Sequence, residues 1–138
     1  MNVMNVMNVM NVMNSGLHWL LLACAGAVGT LLRAGCNHLS VRYLGSGFPW
    51  ATLGVNVLGS FAFGAIIGLS RSRDAMPIAV EKILLVGLLG GFTTFSSFAF
   101  QSFEMLENGR PLTGITYILG TNIATLLAIW GGLRLFGG

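Results

Sequence analysis

The sequence predicts an all-α membrane protein with four transmembrane helices, and its composition and the spacing of its charges both indicate this class. Of the 138 residues, 54% are hydrophobic and 8% are charged. Four apolar runs reach the roughly 20 residues that cross about 30 Å of hydrocarbon. We therefore expect one four-helix channel domain over residues 17–138, with spans at residues 18–40, 49–70, 83–103 and 112–133.

Residues 1–16 have a different character, because the triplet Met-Asn-Val is repeated from Met1 onwards and ends in Met13 and Asn14. An asparagine at every third position leaves no apolar face of helical period. We predict a disordered, repetitive leader that has no function of its own.

The first span combines small residues with a single charge. Residues 25–29 read Ala-Gly-Ala-Val-Gly, and small residues allow another helix to approach closely. Arg33 follows Gly29 by one helical turn. Its side chain either snorkels to the membrane surface or points inward. None of the four predicted spans contains Asp or Glu, so an inward Arg33 has carbonyl groups or a mobile anion as its partners.

The second span carries polar side chains on one helical face. Thr52, Asn56 and Ser60 follow one another at intervals of four residues. The Asn56 amide supplies two hydrogen-bond donors and is interpreted as lining a polar path. The alternative is a bond between helices, which contributes about 1 kcal/mol in membranes.

The third span contains a stretch that favours a helix poorly. Residues 90–98 read Gly-Gly-Phe-Thr-Thr-Phe-Ser-Ser-Phe, and glycines and β-branched residues weaken helical continuity. A break at membrane depth is tolerated where it faces protein or water. Phe95 and Phe98 lie three residues apart on one face. They either form a packing surface or present their positive ring edges to a small anion.

The fourth span repeats hydroxyl groups every four residues, at Thr113, Tyr117, Thr121 and Thr125. Such hydroxyls either line a path or bond the carbonyls of their own helix. Asn122 lies off this stripe and is expected to bond a neighbouring helix or subunit.

The charged residues exclude several classes of function. The basic residues are scattered, which argues against a nucleic-acid interface. Paired acids, a nucleophile with its base, and a cluster of metal ligands are all missing from the sequence, so we do not expect an enzyme. Four basic residues flank the spans on one side (Arg71, Arg73, Lys82, Arg134) and two on the other (Arg42, Arg110). This small bias indicates a protein that inserts in both orientations.

Three motifs together resemble the Fluc (CrcB-type) fluoride channels: residues 90–98 quoted above, residues 29–33 (Gly-Thr-Leu-Leu-Arg) and residues 52–56 (Thr-Leu-Gly-Val-Asn). The resemblance covers residues 17–136 and implies a fluoride channel in the lipid of the cytoplasmic (inner) membrane, built as an antiparallel, dual-topology homodimer with two pores. It also implies a central structural Na⁺ held by the carbonyls of Gly90 and Thr93 from both subunits. The expected pore residues are Arg33, Thr52, Asn56, Phe95, Ser96, Phe98, Tyr117, Thr121 and Thr125.

Two other functions are considered beside the channel. A small four-helix, dual-topology exporter of cationic drugs needs a carboxylate inside the membrane, and the predicted spans have none. A structural membrane subunit without transport explains the small-residue faces, but it does not explain three polar stripes beside an aromatic break.

Overall fold

The structure is a computed structural model that describes the backbone of residues 3–73 and 76–138 and the side chains of residues 15–71 and 76–138. Four of its helical units are long and apolar enough to cross a membrane: Ser15–Leu44, Trp50–Arg71, Ile78–Glu107 and Pro111–Phe136. The predicted class, an all-α protein with four spans, is confirmed. In chain order the elements are α1 (Val3–Leu44), α2 (Trp50–Arg73), α3 (Ile78–Lys82), a π-helical segment (Ile83–Leu89), α4 (Gly90–Phe92), α5 (Phe95–Glu107) and α6 (Pro111–Phe136).

Helix α1 is longer than the sequence predicts, because its backbone is helical from Val3 onwards. Disorder is the sequence-based expectation for residues 1–16. The physical reason for the difference is that extending an existing helix adds one hydrogen bond per residue and that methionine is a good helix former. Residues 1 and 2 and the leader side chains up to residue 14 lie outside the described part, and the domain boundary at residue 17 stays a prediction.

Helix α1 ends at Leu44 in a glycine cap. Gly45 has φ +78° and its N–H donates to the Val41 carbonyl at 3.1 Å. A positive φ at the residue after a helix favours glycine, which has no Cβ to clash. The short connection that follows leads into α2, which packs along α6.

The α2 and α6 helices approach each other through glycines. A Cβ added to Gly64 would meet the backbone of Ile129, and one added to Gly132 would lie 2.7 Å from the Ala65 nitrogen. Close approach of small residues is a common way to pack helices in lipid, where hydrocarbon gives no hydrophobic drive. This packing fixes the two helices that carry the polar stripes predicted from the sequence, which begin at Thr52 on α2 and at Thr113 on α6.

The third span is broken near its middle, as predicted. Thr93 has φ −83° and ψ 160°, and Thr94 has φ −151° and ψ 119°, so both residues are extended between two helical halves. The half before the break packs against α1, and the half after it packs against α6. The break therefore lies where contacts with two different helices meet.

Candidate functional site

Asn56 on α2 pairs with the broken backbone through both ends of its amide. The Thr94 N–H donates to Asn56 Oδ1 at 2.8 Å, and Asn56 Nδ2 donates to the Thr94 carbonyl at 3.0 Å. In an unbroken helix the Thr94 N–H would bond the Gly90 carbonyl four residues earlier. The Asn56 side chain thus satisfies backbone groups that hydrocarbon cannot, and it holds Thr94 in its extended conformation.

Arg33 on α1 contacts the same break from the opposite side. Its Nε donates to the Gly91 carbonyl at 3.1 Å, in the last turn of the helical half before the break. A cation at a helix C-terminus also interacts favourably with the helix dipole. Of the two interpretations left open by the sequence, the structure shows the inward one, with a carbonyl group as the partner.

Thr94 is the N-cap of α5. Its Oγ1 accepts a hydrogen bond from the Ser97 N–H at 3.2 Å and donates to Ser97 Oγ at 3.1 Å. A threonine at this position satisfies one of the unpaired donors at a helix start. The N-terminus of α5, with its partial positive charge, is therefore fixed at the middle of the span.

The ring of Phe95 follows directly after this cap. Its centroid lies 5.7 Å from that of Phe98, and the Phe98 centroid lies 5.3 Å from the Tyr117 ring on α6. Phe98 is 7% exposed, whereas Phe95 is 77% exposed. One ring of the predicted pair is thus packed inside the protein while the other projects from its surface.

A cavity of about 160 Å³, lined by polar side chains as well as by these two phenylalanines, opens beside the break. The Oγ1 of Thr121 is buried and has no hydrogen-bond partner among the described residues. Thr125 Oγ1 instead donates to the Thr121 carbonyl of its own helix at 2.9 Å. The residues that line this cavity, which we call the ring cavity, are Asn56, Ser60, Thr93, Thr94, Phe95, Phe98, Thr121, Asn122 and Thr125.

A second cavity of about 310 Å³ lies on the other side of the break, between α1, α2 and α5. Arg33 and Thr52 line it, together with Ser97 and Gln101. We call it the arginine cavity. Thr94 lines both cavities. The predicted site residues that line a cavity therefore form two groups, one in the arginine cavity and one in the ring cavity.

Tyr117 and Ser96 lie outside both cavities. Tyr117 is 2% exposed, borders an apolar groove between α2 and α6, and donates from its hydroxyl to Gln101 Oε1 at 3.3 Å. Ser96 is exposed, and its Oγ lies 3.4 Å from Thr94 Oγ1. Five predicted pore residues therefore meet in the ring cavity, namely Asn56, Phe95, Phe98, Thr121 and Thr125, and Thr93 of the predicted sodium site lines it as well.

Sequence reasoning did not assign Thr94, Gln101 or Asn122 to the site. Asn122 departs from the four-residue spacing of the hydroxyls, and its amide donates to the Ile118 carbonyl of its own helix at 2.7 Å instead of to a neighbouring helix; a bond to a second subunit stays a prediction. The signal that could have placed it is its spacing of three residues from Thr125, which puts the two side chains on neighbouring positions of one helix face. Thr94 could have been found as the N-cap implied by a threonine three residues before a serine.

These features define a multi-pass membrane protein with two cavities, each lined in part by polar side chains, around a helix break. A family model described as CrcB-like protein, Camphor Resistance (CrcB), matches residues 20–133. The chain therefore belongs to the CrcB family. It is 42% identical over 119 residues to "Fluoride-specific ion channel FluC" of Thermus thermophilus, covering 86% of this chain and 94% of the relative.

Two further relatives carry the same name. The Agrobacterium fabrum protein is 38% identical over 115 residues, covering 83% of this chain and 92% of its own length. The Dehalococcoides mccartyi protein is 39% identical over 116 residues, covering 84% of this chain and 89% of its own length. The similarity thus extends over all four spans.

Proposed function

We propose that this protein is a passive, fluoride-selective channel, not an enzyme, and that it exports fluoride across the cytoplasmic (inner) membrane. The observation that carries the proposal is the ring cavity, where an amide, hydroxyls and two aromatic rings meet beside a helix N-terminus. None of the side chains that line it is acidic. The names of the relatives supply the identity of the ion.

The chemistry of this cavity suits a small, strongly hydrated anion. Such an ion needs replacement donors when it leaves water, and Thr121 Oγ1 is a buried hydroxyl with no partner among the described residues. The N-terminus of α5 contributes positive potential next to Phe95. Ring edges add a further favourable contact with negative charge.

The proposed assembly is an antiparallel homodimer with dual topology, and each dimer has two pores. Phe95 supports it, because this ring is 77% exposed although it belongs to the cavity lining. Phe100 and Phe103 are also exposed on α5. A second copy would cover these rings and close the ring cavity. The small bias of the basic residues, four on one side of the membrane and two on the other, is compatible with both orientations.

A structural Na⁺ is proposed at the carbonyls of Gly90 and Thr93 from both copies. The residues fit such a site, because the break diverts the N–H groups that would otherwise bond these two carbonyls. The Thr94 N–H bonds Asn56, and the Ser97 N–H bonds Thr94 Oγ1. Hard cations prefer oxygen ligands, and the ion would neutralise carbonyl dipoles that converge at the break.

The cationic-drug exporter is disfavoured by the positions of the acids. Among the described side chains of the third span, Glu81, Glu104 and Glu107 lie in the terminal turns. A cation and proton exchanger needs such a group deep in the membrane. No specific observation favours this alternative.

The deciding experiment is fluoride release from proteoliposomes, followed with a fluoride electrode and repeated with chloride. We expect fluoride flux well above that of empty liposomes and chloride flux close to background. Fluoride release equal to that of empty liposomes would refute the proposal.

Two substitutions test the ring cavity as the pathway. Asn56→Asp removes the donor to the Thr94 carbonyl and adds negative charge, and Phe95→Ile removes a ring edge; both should lower fluoride flux about tenfold or more, equivalent to ~1.4 kcal/mol. Phe63→Ile, a partly exposed ring on α2 outside both cavities and outside the proposed dimer contact, is the control and should keep its flux. Unchanged flux in both test variants, with the dimer intact, would remove these residues from the pore.

A further inference from the structure

Four aromatic rings form a continuous row from a loop to the ring cavity. The centroid of Phe48 lies 5.4 Å from that of Tyr117, which lies 5.3 Å from that of Phe98, which in turn lies 5.7 Å from that of Phe95. The Phe48 and Tyr117 rings are nearly perpendicular, at 84°. This edge-to-face arrangement is one that aromatic pairs prefer.

The first ring of the row is held in place by its own loop. Phe48 lies in the connection between α1 and α2, and its carbonyl accepts from the Trp50 N–H at 2.9 Å. The preceding carbonyl, that of Gly47, accepts from Arg110 Nη1 at 3.2 Å. The connection between α5 and α6 thus anchors the loop that presents Phe48.

The second ring, that of Tyr117, contacts the rings on both sides of it in the row. Tyr117 is 2% exposed, lies between Phe48 and Phe98, and has its hydroxyl bonded to Gln101. Phe98, Met105 and Tyr117 form a buried cluster against which Phe48 packs. Phe48 and Tyr117 also border the apolar groove, so the direct ring contacts are the route by which a displacement of Phe48 would reach Phe98.

We propose that Phe48 is a positioning residue, which holds Phe98 at the ring cavity by acting through Tyr117. The inference rests on the proposed channel function, since it gives Phe48 a role in anion flux without contact with the ion. The proposal gives the α1–α2 loop, which lies at the end of the membrane spans, an indirect effect on the position of Phe98 in the ring cavity.

The test compares two substitutions that each remove one ring contact involving α6. Phe48→Leu should lower fluoride flux from proteoliposomes about fivefold, which corresponds to the ~1 kcal/mol that an aromatic pair contributes. Phe48→Tyr keeps the ring and should retain flux within about twofold of the unmodified channel. Phe61→Leu is the matched control, because Phe61 forms a similar ring pair with Phe136, at 6.4 Å and 77°, away from the row.

A second measurement is independent of fluoride. The chain contains two tyrosines, Tyr43 and Tyr117, so ¹⁹F NMR of 3-fluorotyrosine protein gives two signals that a Tyr43→Phe variant assigns. Phe48→Leu should shift the Tyr117 signal, and Phe61→Leu should leave it unchanged. This readout keeps its meaning even if the unmodified protein carries no fluoride, so failure of the positioning role and failure of the channel function are distinguishable.

A double substitution at Phe48 and Phe98, the rings on either side of Tyr117, completes the test. In a Phe98→Leu background, Phe48→Leu should add less than about twofold to the loss of flux, because residues that act as one unit are not additive. An unshifted Tyr117 signal, equal loss of flux in Phe48→Leu and Phe61→Leu, or full additivity with Phe98→Leu would each overturn the proposal.

Discussion

The two halves of the third span are built in different ways. The half before the break, residues 78–92, packs its backbone directly against α1: a Cβ on Gly91 would meet the Gly26 carbonyl and lie 3.1 Å from the Thr30 nitrogen. The half after the break, α5, packs through large side chains such as Phe98 and Met105 against α6. One half is fixed by close backbone approach and the other by interdigitated side chains.

The way in which each half packs determines which chemical groups it brings to the break. Backbone packing leaves the first half few side chains to present, and the groups it brings to the break are carbonyls. Side-chain packing lets α5 display hydroxyls and rings beside a capped N-terminus. Arg33 bonds the backbone at Gly91, before the extended residues, and Asn56 bonds it at Thr94, the second extended residue, so the two side chains hold both ends of the break.

The largest effect is expected from filling the space between α1 and the first half. In Gly29→Ala the new Cβ would meet the Leu88 carbonyl and lie 2.8 Å from the Phe92 nitrogen. Because both atoms belong to the backbone, the helices must separate, and we expect a loss of roughly 3 kcal/mol in the free energy of unfolding. Titration with denaturing detergent, followed by circular dichroism, measures it.

The matched control for this substitution is Gly35→Ala on the same helix. A Cβ at Gly35 has nothing within 4 Å, and alanine is favoured over glycine in a helix by about 1 kcal/mol. We expect equal or slightly higher stability. Equal losses at positions 29 and 35 would contradict the backbone packing assigned to the first half.

A smaller effect is expected from removing the contact between Arg33 and the end of the first half. Arg33→Met keeps an apolar chain of similar length but leaves the Gly91 carbonyl without its donor. A lost bond of this kind to a charged group costs about 2 kcal/mol. Arg42→Met, which removes an exposed guanidinium near the Tyr43 ring in the last turn of α1, should cost little in the same detergent titration. If Arg42→Met lowered the free energy of unfolding as much as Arg33→Met, the loss would come from removing a positive charge and not from the hydrogen bond to the Gly91 carbonyl.

The spans and the break could be predicted from the sequence because both depend on local composition. Runs without charge indicate membrane helices, and Gly-Gly followed by Thr-Thr indicates a weak helix. The end of the helical half before the break was harder to place. Gly90 and Gly91 remain helical, and the extended residues are Thr93 and Thr94. The hydrogen bonds from the side chains of Asn56 and Arg33 determine where the helix breaks. These bonds come from other helices, so local helix propensity gives no information on them.

The division of the site into two cavities could not be predicted from helical periodicity. Thr52 and Asn56 lie one turn apart on the same face of α2, yet Thr52 lines the arginine cavity and Asn56 the ring cavity. The backbone of the break passes between them, at Thr94. Periodicity orients side chains about one helix axis, and it contains no information on where a neighbouring chain crosses.

The smallest effect, and the most local, is expected at the cap of the second half. Thr94→Val keeps the shape of the side chain and the two backbone bonds to Asn56, but it removes the oxygen that accepts from the Ser97 N–H. An N-cap of this type is worth about 1 kcal/mol. Amide hydrogen exchange should therefore become faster at the start of α5 while the first half keeps its protection. Thr116→Val, on the exposed side of α6, is the control for the loss of a hydroxyl. Faster exchange in both halves would mean that the break joins the two halves into one cooperative unit, against the separate modes of packing described above.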